Sequence, residues 1–203
     1  MRTLARRGIM FRFIDHLARL FALLGGVVLA ALILMTCLSI TGRALNSVLH
    51  SDIVQAWAGD LAAVLLRSGI GPINGDFELV EAGMAFAIFA FLPLCQLRGA
   101  HASVDIITAR LSPATQRVLR MGIEVVFAAV LVLIAWKLFE GMESKRRSGQ
   151  TTLLLEYPLW WAYAASLVGS VVAALVAIFV AFVRCMEAAV GHDLLPADGE
   201  AGQ

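Results

Sequence analysis

Ionisable side chains inside or beside long apolar runs are the residues of this chain best suited to chemistry. Glu81, Lys137 and Arg43 stand at the same end of three such runs, which predicts a charge cluster there. Glu124 stands about two helical turns into its run from the opposite end, with Arg120 one turn below it. Charges are costly inside a bilayer, so a connected set of them would indicate a path for protons or ions.

The spacing of these charges favours a structural role over an ion path. Glu124 and Lys137 are 13 residues apart, or about 20 Å along a helix, and no polar residues connect them. The alternative is pairing between helices or subunits, with Arg98 near Glu124 and with the Lys137 ammonium extended to the lipid headgroups. We therefore expect Glu81 to pair with Lys137, with Arg43 or with a basic group on a partner subunit.

Residues that bind metals or haem, or act as nucleophiles, do not form a recognisable site. The histidines all lie in links or tails, at His16, His50, His101 and His192, whereas haem in a helical bundle needs axial ligands within the spans. The cysteines lack C-x-x-C spacing, at Cys37, Cys95 and Cys185, and read as small buried hydrophobes. H-E-x-x-H, G-x-S-x-G and Walker patterns are absent from the sequence. We expect no cofactor, no metal and no enzymatic activity.

The elements that carry these charges are four apolar runs. They occupy residues 20–40, 79–97, 118–138 and 159–183, and each is near the ~20 residues that an α-helix needs to cross a bilayer. Charged residues make up 15% of the chain, against ~25% in an ordinary globular protein. The sequence predicts an all-α membrane protein with four transmembrane helices and additional amphipathic interfacial helices.

Two further segments show helical amphipathicity. In the N-terminal segment 1–19 and the start of the first run, apolar residues at helical spacing form one face, at Met10, Phe13, Ile14, Leu17, Leu20 and Phe21. We expect an interfacial helix there, the alternative being a solvated helix on a partner protein. The link 46–77 has a second such face around Trp57 and predicts a helix lying flat on the outer membrane surface.

Basic residues set the expected topology. Ten Lys and Arg residues lie on the side of the N-terminus and six lie on the opposite side, so the positive-inside rule places both termini, including the tail 185–203, in the cytoplasm. The tryptophans then all fall on the outer side, where they are expected to anchor the protein at the headgroups: Trp57, Trp136, Trp160 and Trp161.

Small residues recur every fourth position in the last run. They are Ala165, Gly169, Ala173, Ala177 and Ala181. Such a row lets helix backbones approach closely in a membrane. Pro93, in the second run, lacks an N–H and is expected to disturb the hydrogen bonding of that helix.

Three short motifs, in this order, resemble the small membrane subunit (DctQ-like) of the tripartite ATP-independent periplasmic (TRAP) transporters. They are the Glu-Leu-Val-Glu sequence at 78–81, the Leu-Arg-Gly-Ala-His-Ala-Ser-Val-Asp sequence at 97–105, and the Tyr-Pro-Leu-Trp-Trp-Ala-Tyr sequence at 157–163. The resemblance covers roughly residues 11–184 and implies a single DctQ-like domain over 1–203. The link 46–77 is long for the family, and Ala102 replaces a bulkier aliphatic residue.

The resemblance implies a function. In that family a large elevator-type permease subunit carries sodium and an organic acid, which a periplasmic binding protein delivers, and the small subunit is a scaffold in the bacterial inner membrane. The interface candidates are then Glu81, Arg98, His101, Asp105, Glu124, Lys137, Gly169, Ala173 and Ala177. Two alternatives stay open, a self-sufficient small transporter or channel and a membrane-anchor subunit of a redox enzyme.

Overall fold

The computed structural model describes five α-helices. The backbone is described for residues 2–99 and 113–190, and side chains for residues 11–99 and 115–189. The helices are α1 (Arg2–Leu49), α2 (Asp52–Arg67), α3 (Asp76–Leu97), α4 (Pro113–Ser148) and α5 (Trp160–Val190). Within these ranges, the only pairing of the β type is an isolated bridge between Thr151 and Pro158.

Four of the helices are long and apolar enough to cross a membrane. The qualifying stretches are Phe11–Leu49, Asp76–Leu97, Thr115–Ser148 and Trp160–Ala189. Each contains one of the apolar runs identified in the sequence, to within one residue at the start of the fourth. The prediction of an all-α membrane protein with four spanning helices is therefore confirmed on length and composition.

The N-terminal segment and the first span form one continuous helix rather than two elements. At 48 residues, α1 is about 72 Å long, more than twice the ~30 Å hydrocarbon thickness. Phe13, expected on the apolar face, is 68% exposed, whereas Phe11 packs against Phe179 and Ala18 is fully buried. A separate interfacial helix is therefore not confirmed, because this segment continues into the first span, and its packed residues Phe11, Ile14 and Ala18 share only part of the predicted apolar face.

The spanning helices pack in the order α1, α3, α5, α4. The central helix, α5, contributes to two apolar clusters on different faces. One joins it to α4 through Ala173, Ala177 and Leu131. The other joins it to α1 and α3 through Val176, Ala18 and Leu97. The core of the molecule therefore lies along α5.

Glycines allow the close approach of α1 and α3. A Cβ added to Gly83 of α3 would lie 2.8 Å from the Leu32 side chain, and one added to Gly25 of α1 would lie 3.0 Å from the Ala90 Cβ. Gly42 of α1 lies directly against the backbone oxygen of Gly71. Each contact needs the space that a missing Cβ leaves.

The short helix α2 lies within the link 46–77 and contacts α1. It bends at Ala58, whose φ and ψ are not helical. Four of its large apolar side chains are exposed, with Trp57 at 89%: Ile53, Trp57, Leu61 and Val64. The segment after α2 is held to α1 by the Asn46 amide, which donates to the Ile70 carbonyl at 3.1 Å. Contact of this apolar face with the outer leaflet stays a prediction.

Candidate functional site

A buried carboxylate organises the outer end of the molecule, which we define as the end where α3 and α5 begin. The Asp76 carboxylate accepts a 2.6 Å hydrogen bond from Ser39 Oγ and lies 3.4 Å from the Arg43 guanidinium. It also accepts the Phe77 backbone N–H at 2.9 Å, within the first turn of α3. Arg43 stands over the Phe77 ring, with 5.9 Å to its centroid. This node fastens the start of α3 to α1.

A second acidic residue fastens the loop between α4 and α5. The Glu78 carboxylate accepts backbone N–H groups from Leu154 at 2.8 Å and Leu155 at 3.0 Å. The Tyr157 hydroxyl donates to the Glu78 carbonyl at 3.2 Å. These bonds hold loop 150–159 to α3. Leu153, at the tip of the loop, is 92% exposed, so an apolar side chain projects from a constrained backbone.

The expected pairing of Glu81 with Arg43 or Lys137 is wrong. Arg43 pairs with Asp76, and Lys137 pairs with Glu140 at 2.7 Å, one turn away on α4. Glu81 follows Asp76 by five residues, so it points about 140° around α3 from Asp76 and away from α1. Pairing of Glu81 with a basic group on another subunit stays a prediction. The sequence analysis missed Asp76 because it assigned this residue to the link.

Glu81 instead borders a groove on the other side of α3, together with Tyr157 and Tyr163. Burial raises the pKa of the Tyr157 hydroxyl, and the nearby carboxylates of Glu78 and Glu81 raise it further. Tyr157 therefore keeps its proton at neutral pH and serves as a hydrogen-bond donor.

At the inner end, Glu124 is bonded within the bundle. The buried Gln96 amide of α3 donates to the buried Glu124 carboxylate of α4. This is the interhelical type of contact favoured for Glu124 over an ion path, and Gln96 supplies it. A buried pair on α5, Arg184 with Glu187 at 2.9 Å, lies near the same end. Arg98 is exposed at the end of α3, while His101 and Asp105 lie outside the described residues.

The small residues of α5 lie inside the bundle. A Cβ added to Gly169 would lie 2.9 Å from the Phe89 Cβ of α3. Ala173 and Ala177 are fully buried in the cluster shared with α4. The structure therefore gives these three residues packing partners in their own chain, so an interface with a second protein would require other, exposed residues.

The predicted tryptophan anchors are largely exposed. Trp57, Trp136 and Trp161 have more than half of their surface accessible, and Trp160 meets Trp161 edge-on at 6.1 Å between centroids. The Trp136 indole N–H donates to Glu140 at 2.6 Å, within the same cluster as Lys137. This amphipathic exposure suits the headgroup region, and membrane anchoring by these residues stays a prediction.

The residues described here hold no group of three or more His, Cys, Asp or Glu side chains that could bind a metal ion. Most of the polar side chains reported above contact one another or the backbone, with Glu81 as an exposed exception. The class of protein that this arrangement defines is a multi-pass helical membrane protein.

Comparison with known families identifies the family of membrane proteins to which the chain belongs. The family described as "Tripartite ATP-independent periplasmic transporters, DctQ component" matches residues 58–188, more than half of the chain. The chain therefore belongs to the DctQ family, the small permease component of TRAP transporters, and the resemblance found in the sequence is confirmed. No curated protein and no solved structure matches the chain.

Membership of the family fixes the coarse function and setting. DctQ proteins are transporter components rather than enzymes, and they work in TRAP transporters alongside a large permease and a binding protein. With four helices able to span a membrane, the chain is a multi-pass protein of the inner membrane. The matched range begins within α2, so α1 lies before it.

Proposed function

We propose that this chain is a non-transporting scaffold subunit of a TRAP transporter. It binds and stabilises a large elevator-type permease, which performs the sodium-coupled uptake of an organic acid. A periplasmic binding protein delivers that acid and contacts the assembly transiently. The family match supports the first part of this proposal, and the resemblance noted in the sequence supplies the rest.

The observation that carries the scaffold role is the placement of polar groups in the spans. A transporter that binds its own substrate commonly uses broken helices and a polar site near the midplane. Glu124 is the deepest ionisable residue of the four apolar runs, and it is bonded to Gln96. Both α1 and α5 cross without any charged residue in their apolar runs. These features favour a static subunit over one that carries ions.

Exposed apolar faces on the peripheral helices support association with a larger neighbour or with lipid. On α1, Leu34 and Leu38 are mostly exposed, as are Val126 and Leu133 on α4. Because α5 is the most buried of the four spanning helices and packs against both α3 and α4, we assign the interface with the large permease to α1 or α4.

Co-expression with the large permease tests this association. The permease gene is sought among the neighbouring reading frames, and a tag is placed on this chain alone. We expect a defined complex that survives size-exclusion chromatography in mild detergent. Recovery of this chain without any permease, under conditions where both are expressed and folded, would contradict the scaffold proposal.

We also propose that the outer end faces the periplasm and both termini face the cytoplasm, as the ten-to-six split of basic residues favours. After removal of the native cysteines, a cysteine at Ser148 should react with an impermeant thiol reagent in intact spheroplasts. A cysteine at Ser103 should react only after permeabilisation. The reverse pattern would overturn this orientation.

A further inference from the structure

A groove of about 260 Å³ opens at the outer end between α3 and α4, with α5 as its floor. Glu78, Glu81 and Tyr157 line its upper part, and Ala85, Leu138 and Ala162 contribute apolar walls. Ala85 lies one turn below Glu81 on α3. The upper part of the groove is therefore acidic and the lower part mostly apolar, with the Ser166 hydroxyl of α5 as a polar group there.

The depth of the groove coincides with the expected headgroup region. Leu138 is adjacent to Lys137 and two residues from Trp136, whose side chains both contact the exposed Glu140 carboxylate. Tryptophan and lysine at a span end mark the membrane interface. The acidic part of the groove thus lies at headgroup depth, and its apolar walls continue toward the hydrocarbon.

The charged side chains that line the groove are all negative. Its lining includes two carboxylates and no lysine or arginine. Glu78 already accepts the N–H groups of Leu154 and Leu155, whereas Glu81 has no hydrogen bond or ion pair with any described residue and its side chain is exposed. Lys137, which the sequence suggested as a partner of Glu81, forms its ion pair with Glu140. A positively charged group entering the groove would therefore meet an uncompensated carboxylate beside two tyrosine rings.

We propose that this groove binds a membrane lipid with a primary ammonium headgroup, such as phosphatidylethanolamine. The ammonium group donates to the Glu81 carboxylate, and an acyl chain lies along Ala85 and Leu138. A headgroup without an ammonium would bring its phosphate close to two carboxylates with no cation to offset the repulsion. This lipid site does not depend on the proposed partner permease, because every residue that forms it belongs to this chain.

Native mass spectrometry of the purified full-length chain tests the proposal. Phosphatidylethanolamine and phosphatidylglycerol with identical acyl chains are added separately, and the lipid-bound fraction is measured against concentration. We expect phosphatidylethanolamine to bind at least about tenfold more tightly, since one charge-assisted contact readily supplies the ~1.4 kcal/mol that a factor of ten requires. Glu81→Gln should weaken phosphatidylethanolamine binding about tenfold, and thermal unfolding should stay at the wild-type temperature.

Glu143→Gln is the matched control, because Glu143 lies on α4 near the same end but outside this groove. It should bind phosphatidylethanolamine like the wild type. Equal binding of the two lipids, or unchanged binding by Glu81→Gln, would overturn the proposal. Unfolding of Glu81→Gln would overturn it too, because Glu81 would then be a structural residue. Displacement of the lipid in the complex with the large permease would assign the groove to a permease side chain instead.

Discussion

The most apolar stretches of helices α5 and α1 have almost the same mean hydropathy but opposite surroundings. In the most apolar stretch of α5, 50% of the residues are buried within the protein, against 6% in α1. Hydropathy indicates that both helices prefer a bilayer to water. It does not indicate which of the two is surrounded by other helices. In a membrane, apolar surface can face lipid at no cost, so packing must be decided by another property.

That property is the size of the residues at the contacts. Along α5, one row of small residues meets two neighbouring helices, with Gly169 against α3 and Ala173 in the cluster shared with α4. Along the spanning part of α1, Gly25 and Ser39 lie at the contact with α3, Ala18 packs against α5 near the start of that part, and the remaining surface consists largely of exposed Leu, Ile and Val. Small residues at contacts with two helices along the span place α5 at the centre, and small residues mainly at one such contact place α1 at the edge.

The largest effect is expected from Gly169→Leu on α5. The new side chain would begin 2.9 Å from the Phe89 Cβ and must displace the α3 backbone beside it. Overpacking of this kind typically costs ~1–3 kcal/mol or more. We expect loss of the monodisperse folded chain, measured by size-exclusion chromatography and thermal unfolding without any partner protein.

Gly122→Leu on α4 is the matched control for this substitution. A Cβ at Gly122 meets nothing within 4 Å, so the variant should fold and unfold like the wild type. If both variants behave alike, close packing at α5 does not distinguish the two helices, and the comparison fails.

An intermediate effect is expected from Asp76→Ala at the α1–α3 seam. The substitution removes the acceptor of the Ser39 hydroxyl, the partner of Arg43 and the acceptor of the Phe77 N–H. Thermal unfolding should begin at a lower temperature, and hydrogen exchange should increase at the Phe77 amide. Asp76→Asn keeps an oxygen acceptor and should be milder, whereas equal behaviour of the two variants would argue against the hydrogen-bonded node.

The smallest effect is expected from Leu34→Ala on the outward face of α1. Leu34 is 71% exposed, and exposed substitutions usually change stability by no more than about 0.5 kcal/mol. The thermal midpoint of the isolated chain in detergent should therefore stay at the wild-type value. A loss comparable to that of Gly169→Leu would show that this face of α1 is packed, contrary to its assignment as a peripheral helix.

The sequence was sufficient for the features that follow from composition and short spacing. The four apolar runs predicted the spanning helices, and the step of four between Gly169, Ala173 and Ala177 predicted close packing, because residues four apart share a helix face. The family resemblance was recognised from short motifs, because their residues and their order are given directly by the sequence.

The partners of polar residues were harder to predict. The sequence suggested Glu81 for Arg43, but the rotation of α3 presents Asp76 instead. Gln96 was missed as the donor to Glu124 because an amide within an apolar run carries no charge signal. Likewise, Phe11 and Ala18 of α1 pack against residues that are distant in the sequence. To predict which side chains pair across two helices, one must know how each helix is rotated about its axis. The periodicity of the sequence does not determine that rotation.

Sodium-driven uptake in proteoliposomes is the most direct test of the scaffold role. The large permease, this chain, and the two together are reconstituted separately, each with the periplasmic binding protein and its organic acid in the outer solution. We expect uptake only when the permease and this chain are present together. Uptake by this chain alone, or full uptake by the permease without it, would contradict the account.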